Sequence, residues 1–217
     1  FGYKFTDYKL LREALTHSSC STSSRIGQTC VRSYERMEFL GDALLDYSVV
    51  PMLYNQLPSA HEGILAGSKT LIIENKSLAQ ESIRMRLYEL IYAKDSVLSQ
   101  LKHLKAAVDD AVDMKRLSQH VQISGSCAHL YQYYAPWTMA EESYVLADVD
   151  GKIKTGISST ITKLLADVLE SLVGAVFVDC GRDYTVIDKV ISKVLRLDKR
   201  IGDIRDIYET LSKRGID

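Results

Sequence analysis

Apolar residues return at three- and four-residue intervals over most of this chain, the spacing of one helix face. Residues 7–16 place Leu10, Leu11, Ala14 and Leu15 on such a face, with Asp7 as the expected N-cap. A second helix is predicted from Ser33 or Tyr34 to about Asn55, and Pro51 inside it predicts a kink or break near residue 50. Helical patterns follow over 61–73 and over 75–92. In the latter, Leu78, Ala79, Ile83, Leu87, Leu90 and Ile91 form the stripe and Asn75 is the candidate cap. Residues 95–118 repeat the pattern through Val97, Leu98, Leu101, Leu104, Val108, Val112 and Leu117. A long helix over 159–179 should end at Cys180-Gly181, where Gly181 suits a C-cap. A last amphipathic helix is expected over 184–197, built on Val186, Ile187, Val190, Ile191, Val194 and Leu195.

Polar stretches separate these patterns. THSSCSTSSRIGQT reads as a loop and LPSAHEG as a turn. Residues 119–158 carry Gly, Ser, Pro and four Tyr and read as an irregular insert, with a short hairpin expected around Val149-Asp150-Gly151-Lys152. No internal repeat or low-complexity linker is visible. The expected fold is all-α, and the expected organisation is one domain over 1–217.

Composition narrows this picture only a little. With 217 residues and a 46% hydrophobic fraction, the chain can build a sizeable core. The net charge is −1, from 27 basic and 28 acidic residues, so no overall basic field points to nucleic acid. No apolar run approaches the roughly 18 residues of a membrane span, and no signal peptide is visible. The chain starts at Phe1, which suggests a piece of a larger protein. Cys20, Cys30, Cys127 and Cys180 form no CxxC pair, so free thiols in the cytoplasm or nucleus are expected rather than a structural zinc. Cys127 and His129 alone are close enough to suggest two ligands, on a weak spacing.

The acids change the reading. SYERMEFLGDALLDY, residues 33–47, is an apolar helical stretch that nevertheless sets Glu35, Glu38, Asp42 and Asp46 on one side. Like charges three or four apart on a helix repel unless they are solvated or neutralised by a cation. In the long C-terminal pattern, Asp167 and Glu170 also share a face among leucines and valines. If the two helices pack together, Glu38, Asp42, Asp167 and Glu170 converge. Four carboxylates carry a charge that two divalent cations would balance, and an all-oxygen donor set suits Mg²⁺ or Mn²⁺ rather than zinc. A pair of such ions serves phosphodiester hydrolysis by water. Taken singly, either acid pair is more often a solvated helix face.

Three segments resemble one family. YERMEFLGDALLDY is similar to ERLEFLGDAVL, the signature of ribonuclease III catalytic domains. KLLADVLESLVGAVFVDCG is similar to that family's LADVLEALIGAIYLD followed by Gly, and GYKFTDYKLLREALTHSS resembles its N-terminal helix. The resemblance implies a ribonuclease III helical fold and a Mg²⁺-dependent endonuclease, with Mn²⁺ as a substitute, that cleaves double-stranded RNA. By position, Glu38, Asp42, Asp167 and Glu170 match the metal-binding acids. Lys163 matches a lysine of Dicer-type members that is placed toward the scissile phosphate. Glu35 matches an acid that supports the dimer or the site from outside, though an exposed helix charge serves as well. Asp46 fits the Dicer-like signature, Asn75 resembles the Asn of the LVNN segment, and His17 in ALTHSS is expected to be structural.

The resemblance also implies pairing, as a homodimer of the isolated domain or an intramolecular pseudo-dimer, with Phe39, Met37 and Leu40 as interface candidates. Each site of the pair would cut one strand, leaving 5′-phosphates, 3′-hydroxyls and a two-nucleotide 3′ overhang. The stretch between the two acidic motifs is longer than in compact bacterial-type members. An insertion within 95–158 therefore points to a Dicer-like enzyme of small-RNA processing, leaning to the second of its two ribonuclease III domains. No double-stranded-RNA-binding domain is expected after residue 197, so RNA binding should be weak and salt-sensitive. The alternative is a catalytically silent ribonuclease III-like module for dimerisation or RNA scaffolding, which the presence of all four acids disfavours. A di-iron bundle would need Glu-x-x-His motifs, and none occurs.

Overall fold

The computed structural model describes residues 1–20, 32–114 and 158–214. Among these, eight α-helices form the fold: α1 (Tyr8–Ala14), α2 (Glu35–Gln56), α3 (Glu62–Ile73), α4 (Asn75–Arg84), α5 (Asp95–Met114), α6 (Ser159–Asp179), α7 (Tyr184–Leu195) and α8 (Leu197–Lys213). Short 3₁₀ turns occupy Ser18–Cys20 and Leu87–Glu89. The described residues hold no named strand, only an isolated bridge between Thr16 and Tyr92. The all-α expectation is met.

α6 is the centre. Every residue from Leu164 to Phe177 is buried, as expected of a helix that is apolar on nearly all sides. α2, α4, α1 and α7 pack around it. Leu165, Leu169 and Leu172 of α6 join Leu45, Val49, Leu53, Leu78, Ile187 and Ile191 in one buried cluster. Each fully buried aliphatic side chain contributes about 1.5–3 kcal/mol relative to exposure. The helix starts on Ser158, whose hydroxyl accepts from the Ile161 amide. It ends as the sequence predicts, with Gly181 at φ +73°. There the Arg182 amide donates to the Phe177 carbonyl and the Gly181 amide to the Val178 carbonyl, the paired bonds of a Schellman stop.

The other expectations hold in part. Asp7 caps α1 by accepting from the Lys9 amide. α2 runs through Pro51 without a break. Pro51 and Tyr47 both lie on its exposed side, so the carbonyl that loses its partner faces water. The helix expected over 75–92 stops at Arg84. Arg86 takes a left-handed backbone and is held there by Glu89 and Asp109 at 2.7 and 3.0 Å. This corner turns Leu90 out to solvent while Ile91 stays buried. Asn75 is not a cap but the first helical residue, because Glu74 takes the extended conformation between α3 and α4. α7 ends at Leu195, and Arg196 turns the chain at φ 53° into α8, which the sequence reading missed. Leu197, Ile201 and Ile204 anchor α8, and buried Arg200 donates to the Leu71 and Ile72 carbonyls at the end of α3. Within the expected insert, α5 accounts for residues 95–114 and packs through Leu101, Leu104 and Val108. The Val112 and Leu117 side chains, Cys30, Cys127, His129, the four Tyr of residues 119–158 and the Asp150-Gly151 pair lie outside the described residues.

Candidate active site at the contact of two helices

The site begins with glycine. Gly41 of α2 faces the α6 backbone so closely that a Cβ there would overlap the Glu170 carbonyl. Gly174 of α6 makes the reciprocal approach, where a Cβ would overlap the Met37 carbonyl. Glycine is unfavourable inside a helix by about 0.5–1 kcal/mol relative to alanine. Here it lets two helix backbones touch, and the acids on either side are carried together. Met37, Gly41, Leu44, Leu45, Ser48 and Val49 form the buried row of α2, and Glu38 and Asp42 stand beside it.

Carboxylate oxygens of Glu38, Asp167 and Glu170 lie within 4.8 Å of one another. Asp167 and Glu170 are only 6% and 8% exposed. Asp42 is exposed and stands outside this group of three, yet its charge acts on Glu170. Burial, then repulsion from Asp42, Asp167 and Glu38, pushes the Glu170 carboxyl up to about 8. Burial and the Asp167 charge raise Glu38 as well, against the opposing pull of Lys163. Lys163, one turn before Asp167, donates to both Asp167 oxygens at 2.7 and 2.8 Å and lies 3.5 Å from Glu38. Its hydrogen bonds to Asp167 raise its own pKa.

The remaining candidates separate clearly. Glu35 is exposed, accepts from the Ser33 hydroxyl at 2.8 Å and lies outside the cluster. Asp46 pairs with Lys69 of α3 at 2.6 Å. Asn75 is exposed at the start of α4. His17 is held below its usual pKa by burial, and its Nδ1 meets the Ser19 hydroxyl at 2.9 Å. Around it, the Tyr34 amide donates to the Thr16 carbonyl and the His17 amide to the Tyr92 carbonyl. The THSS segment is thus a clasp fixing the start of α2. Met37 is a core residue, whereas Phe39 is 83% exposed.

Three contributors escaped sequence reasoning. Gly41 and Gly174 set the helix contact, and glycines inside otherwise strong helical patterns, each within four residues of a candidate acid, were the available signal. Tyr34 is buried, and its hydroxyl donates to Asp167 at 3.4 Å. Burial and the neighbouring acids hold that phenol well above its usual pKa. Nothing but its place ahead of the signature could have marked it.

Comparison with known proteins decides the family. The ribonuclease III domain matches residues 35–181, which contain both acidic helices. This chain belongs to the ribonuclease III family. Within it, the chain is a domain of the Dicer type. Endoribonuclease Dcr-1 of Drosophila melanogaster is 28% identical over 194 residues, covering 89% of this chain and 7% of that protein. Protein Dicer of Schizosaccharomyces pombe is 28% identical over 222 residues, covering 99% of this chain and 13% of that protein. The chain therefore spans only a small part of these relatives. Ribonuclease 3 of Treponema pallidum is 39% identical over 113 residues, covering 52% of this chain and 44% of that enzyme. The nuclease domain of ribonuclease III from Campylobacter jejuni superposes with a TM-score of 0.53 at 20% identity, covering 89% of both chains. That likeness places the helical arrangement of this ribonuclease III domain in the same fold.

Proposed function

We propose that this ribonuclease III domain is a Mg²⁺-dependent endonuclease that hydrolyses double-stranded RNA within a Dicer-like enzyme of small-RNA processing. The observation that carries the reading is the convergence of the Glu38, Asp167 and Glu170 carboxylates across the α2–α6 contact.

The donor set fits a divalent ion. It is all oxygen, as Mg²⁺ or Mn²⁺ prefers, and its negative charge exceeds what Lys163 alone offsets. Glu38, Asp42, Asp167 and Glu170 would hold the ions. When bound, two divalent ions polarise the phosphodiester and lower the pKa of the attacking water. The chain's own part is positional. α2 and α6, pressed together at Gly41 and Gly174, fix the acids on rigid elements. Tyr34 orients Asp167 through its hydroxyl. Lys163, one turn away, would meet the scissile phosphate, where a fixed positive charge favours the developing anion.

Each such site cuts one strand, so two are needed for a staggered break. Exposed Phe39 supports pairing, either as a homodimer of the isolated domain or as an intramolecular pseudo-dimer in a longer protein. The products would carry 5′-phosphates and 3′-hydroxyls with a two-nucleotide 3′ overhang. Among the described residues no helix is long and apolar enough to cross a membrane, in keeping with work in the cytoplasm or nucleus.

The test is cleavage of a long RNA duplex with Mg²⁺ and with EDTA, followed by sequencing of the ends. Staggered cuts that disappear with EDTA, and in Glu38→Ala and Asp167→Ala, are expected. A folded domain that neither binds the metal nor cleaves duplex RNA would contradict the activity and favour the silent-module alternative.

A further inference from the structure

The positive charge nearest the acids belongs to the chain. The Lys163 side chain is 60% exposed, so many of its conformers would reach open solvent. Its ammonium nonetheless bridges two helices, donating to both oxygens of Asp167 and approaching Glu38 of α2. An oxygen facing an ammonium at hydrogen-bond distance is blocked on that side to a cation that ligates at about 2.0–2.1 Å. The two positive charges would also repel.

We propose that Lys163 is an internal counter-ion that competes with the divalent ion for Asp167 and Glu38, and that it withdraws toward solvent when the ion binds. This rests on the reading of the acids as a metal site. Withdrawal requires no unpacking, because most of the side chain is already exposed, and Asp167 keeps the Tyr34 hydroxyl as a donor when Lys163 leaves. The released ammonium stays tethered one turn from the acids. It becomes free to meet a phosphate only once the ion is in place, so metal binding and the phosphate contact occur in that order.

The experiment is calorimetric titration with Mn²⁺ of the wild-type domain, Lys163→Ala and Lys163→Gln, with circular dichroism to confirm folding. It is paired with acetylation of wild-type lysines by an N-hydroxysuccinimide ester, mapped by mass spectrometry with and without Mn²⁺. Both variants should bind Mn²⁺ about two- to fivefold more tightly, the range set by loss of a partly exposed ion pair. Acetylation of Lys163 should rise severalfold on Mn²⁺ saturation, while Lys69, paired with Asp46, stays unchanged. Variants that bind Mn²⁺ no better than wild type, or Lys163 labelling that does not rise, would overturn the counter-ion and leave the metal site standing. Absence of Mn²⁺ binding in all three proteins would overturn both.

Discussion

Glu170 shows how one residue links the site to stability. In the unfolded chain its carboxyl ionises near 4.5, but in the fold it keeps its proton up to about pH 8. Between these values the folded state binds more protons than the unfolded state, so stability falls as pH rises. Without divalent ions the domain should melt highest near pH 5 and progressively lower toward pH 8. Glu170→Gln keeps the shape and removes the charge. It should flatten that profile and raise metal-free stability at pH 8 by about 1–3 kcal/mol, read by chemical denaturation at several pH values. A wild-type profile that rises from pH 5 to pH 8 would contradict this account of Glu170. The same variant should lose duplex cleavage, since an amide replaces a proposed ligand. Tyr34→Phe removes only the hydroxyl on Asp167. It should weaken Mn²⁺ binding modestly with little effect on melting, and an unchanged titration would remove Tyr34 from the site.

At the scale of elements, the α2–α6 contact is the decisive feature. Gly41→Ala inserts a Cβ into the Glu170 backbone and must push the helices apart. A loss of about 1–3 kcal/mol or more is expected in urea unfolding, with weakened metal binding in whatever remains folded. Full retention of both would show that the glycine is dispensable. A second tie joins the N-terminal segment to α6. Asp179 accepts from the Tyr3 hydroxyl at 2.8 Å and from the Thr6 and Asp7 amides at 2.7 Å. Those amide bonds hold its pKa below the usual value. Its contribution is present above the unfolded carboxylate pKa and is lost as pH falls through the lower folded one. Asp179→Asn should therefore lower the melting temperature at pH 7 and make little difference near pH 2. A variant that melts like wild type at pH 7 would refute the tie.

The elements also show what the sequence could disclose. Periodicity located α1, α3, α6 and α7 through their apolar stripes, helped by Asp7 at the start of α1 and Gly181 at the end of α6. It overran α4, since the corner at Arg86 depends on ion pairs with Glu89 and with distant Asp109. α8 escaped because its few apolar anchors sit among charges, and its one buried cation, Arg200, is satisfied by carbonyls of α3. In the site, Glu38, Asp167 and Glu170 were legible as acids at helical spacing, and Lys163 through the family resemblance. That their helices meet was not, because it depends on backbone approach at two glycines that carry no chemistry of their own. Asp42, expected among the ligands, stands just outside the group of three and acts on it through its charge.

At the scale of the whole molecule, the proposed staggered product requires two domains, each of whose sites would cut one strand. Phe39 is exposed on the same helix that bears Glu38, so the proposed pairing would be coupled to the site. Phe39→Asp should shift the isolated domain to monomer in sedimentation velocity without altering its circular dichroism. A dimer that survives this substitution would place the interface elsewhere. The central claim, that α2 and α6 meet to build a divalent-ion site, is tested most directly by crystallising the domain with millimolar Mn²⁺ and mapping anomalous scattering. A peak bounded by Glu38, Asp167 and Glu170, absent in Asp167→Ala, is expected. A well-ordered wild-type crystal without such a peak would contradict it.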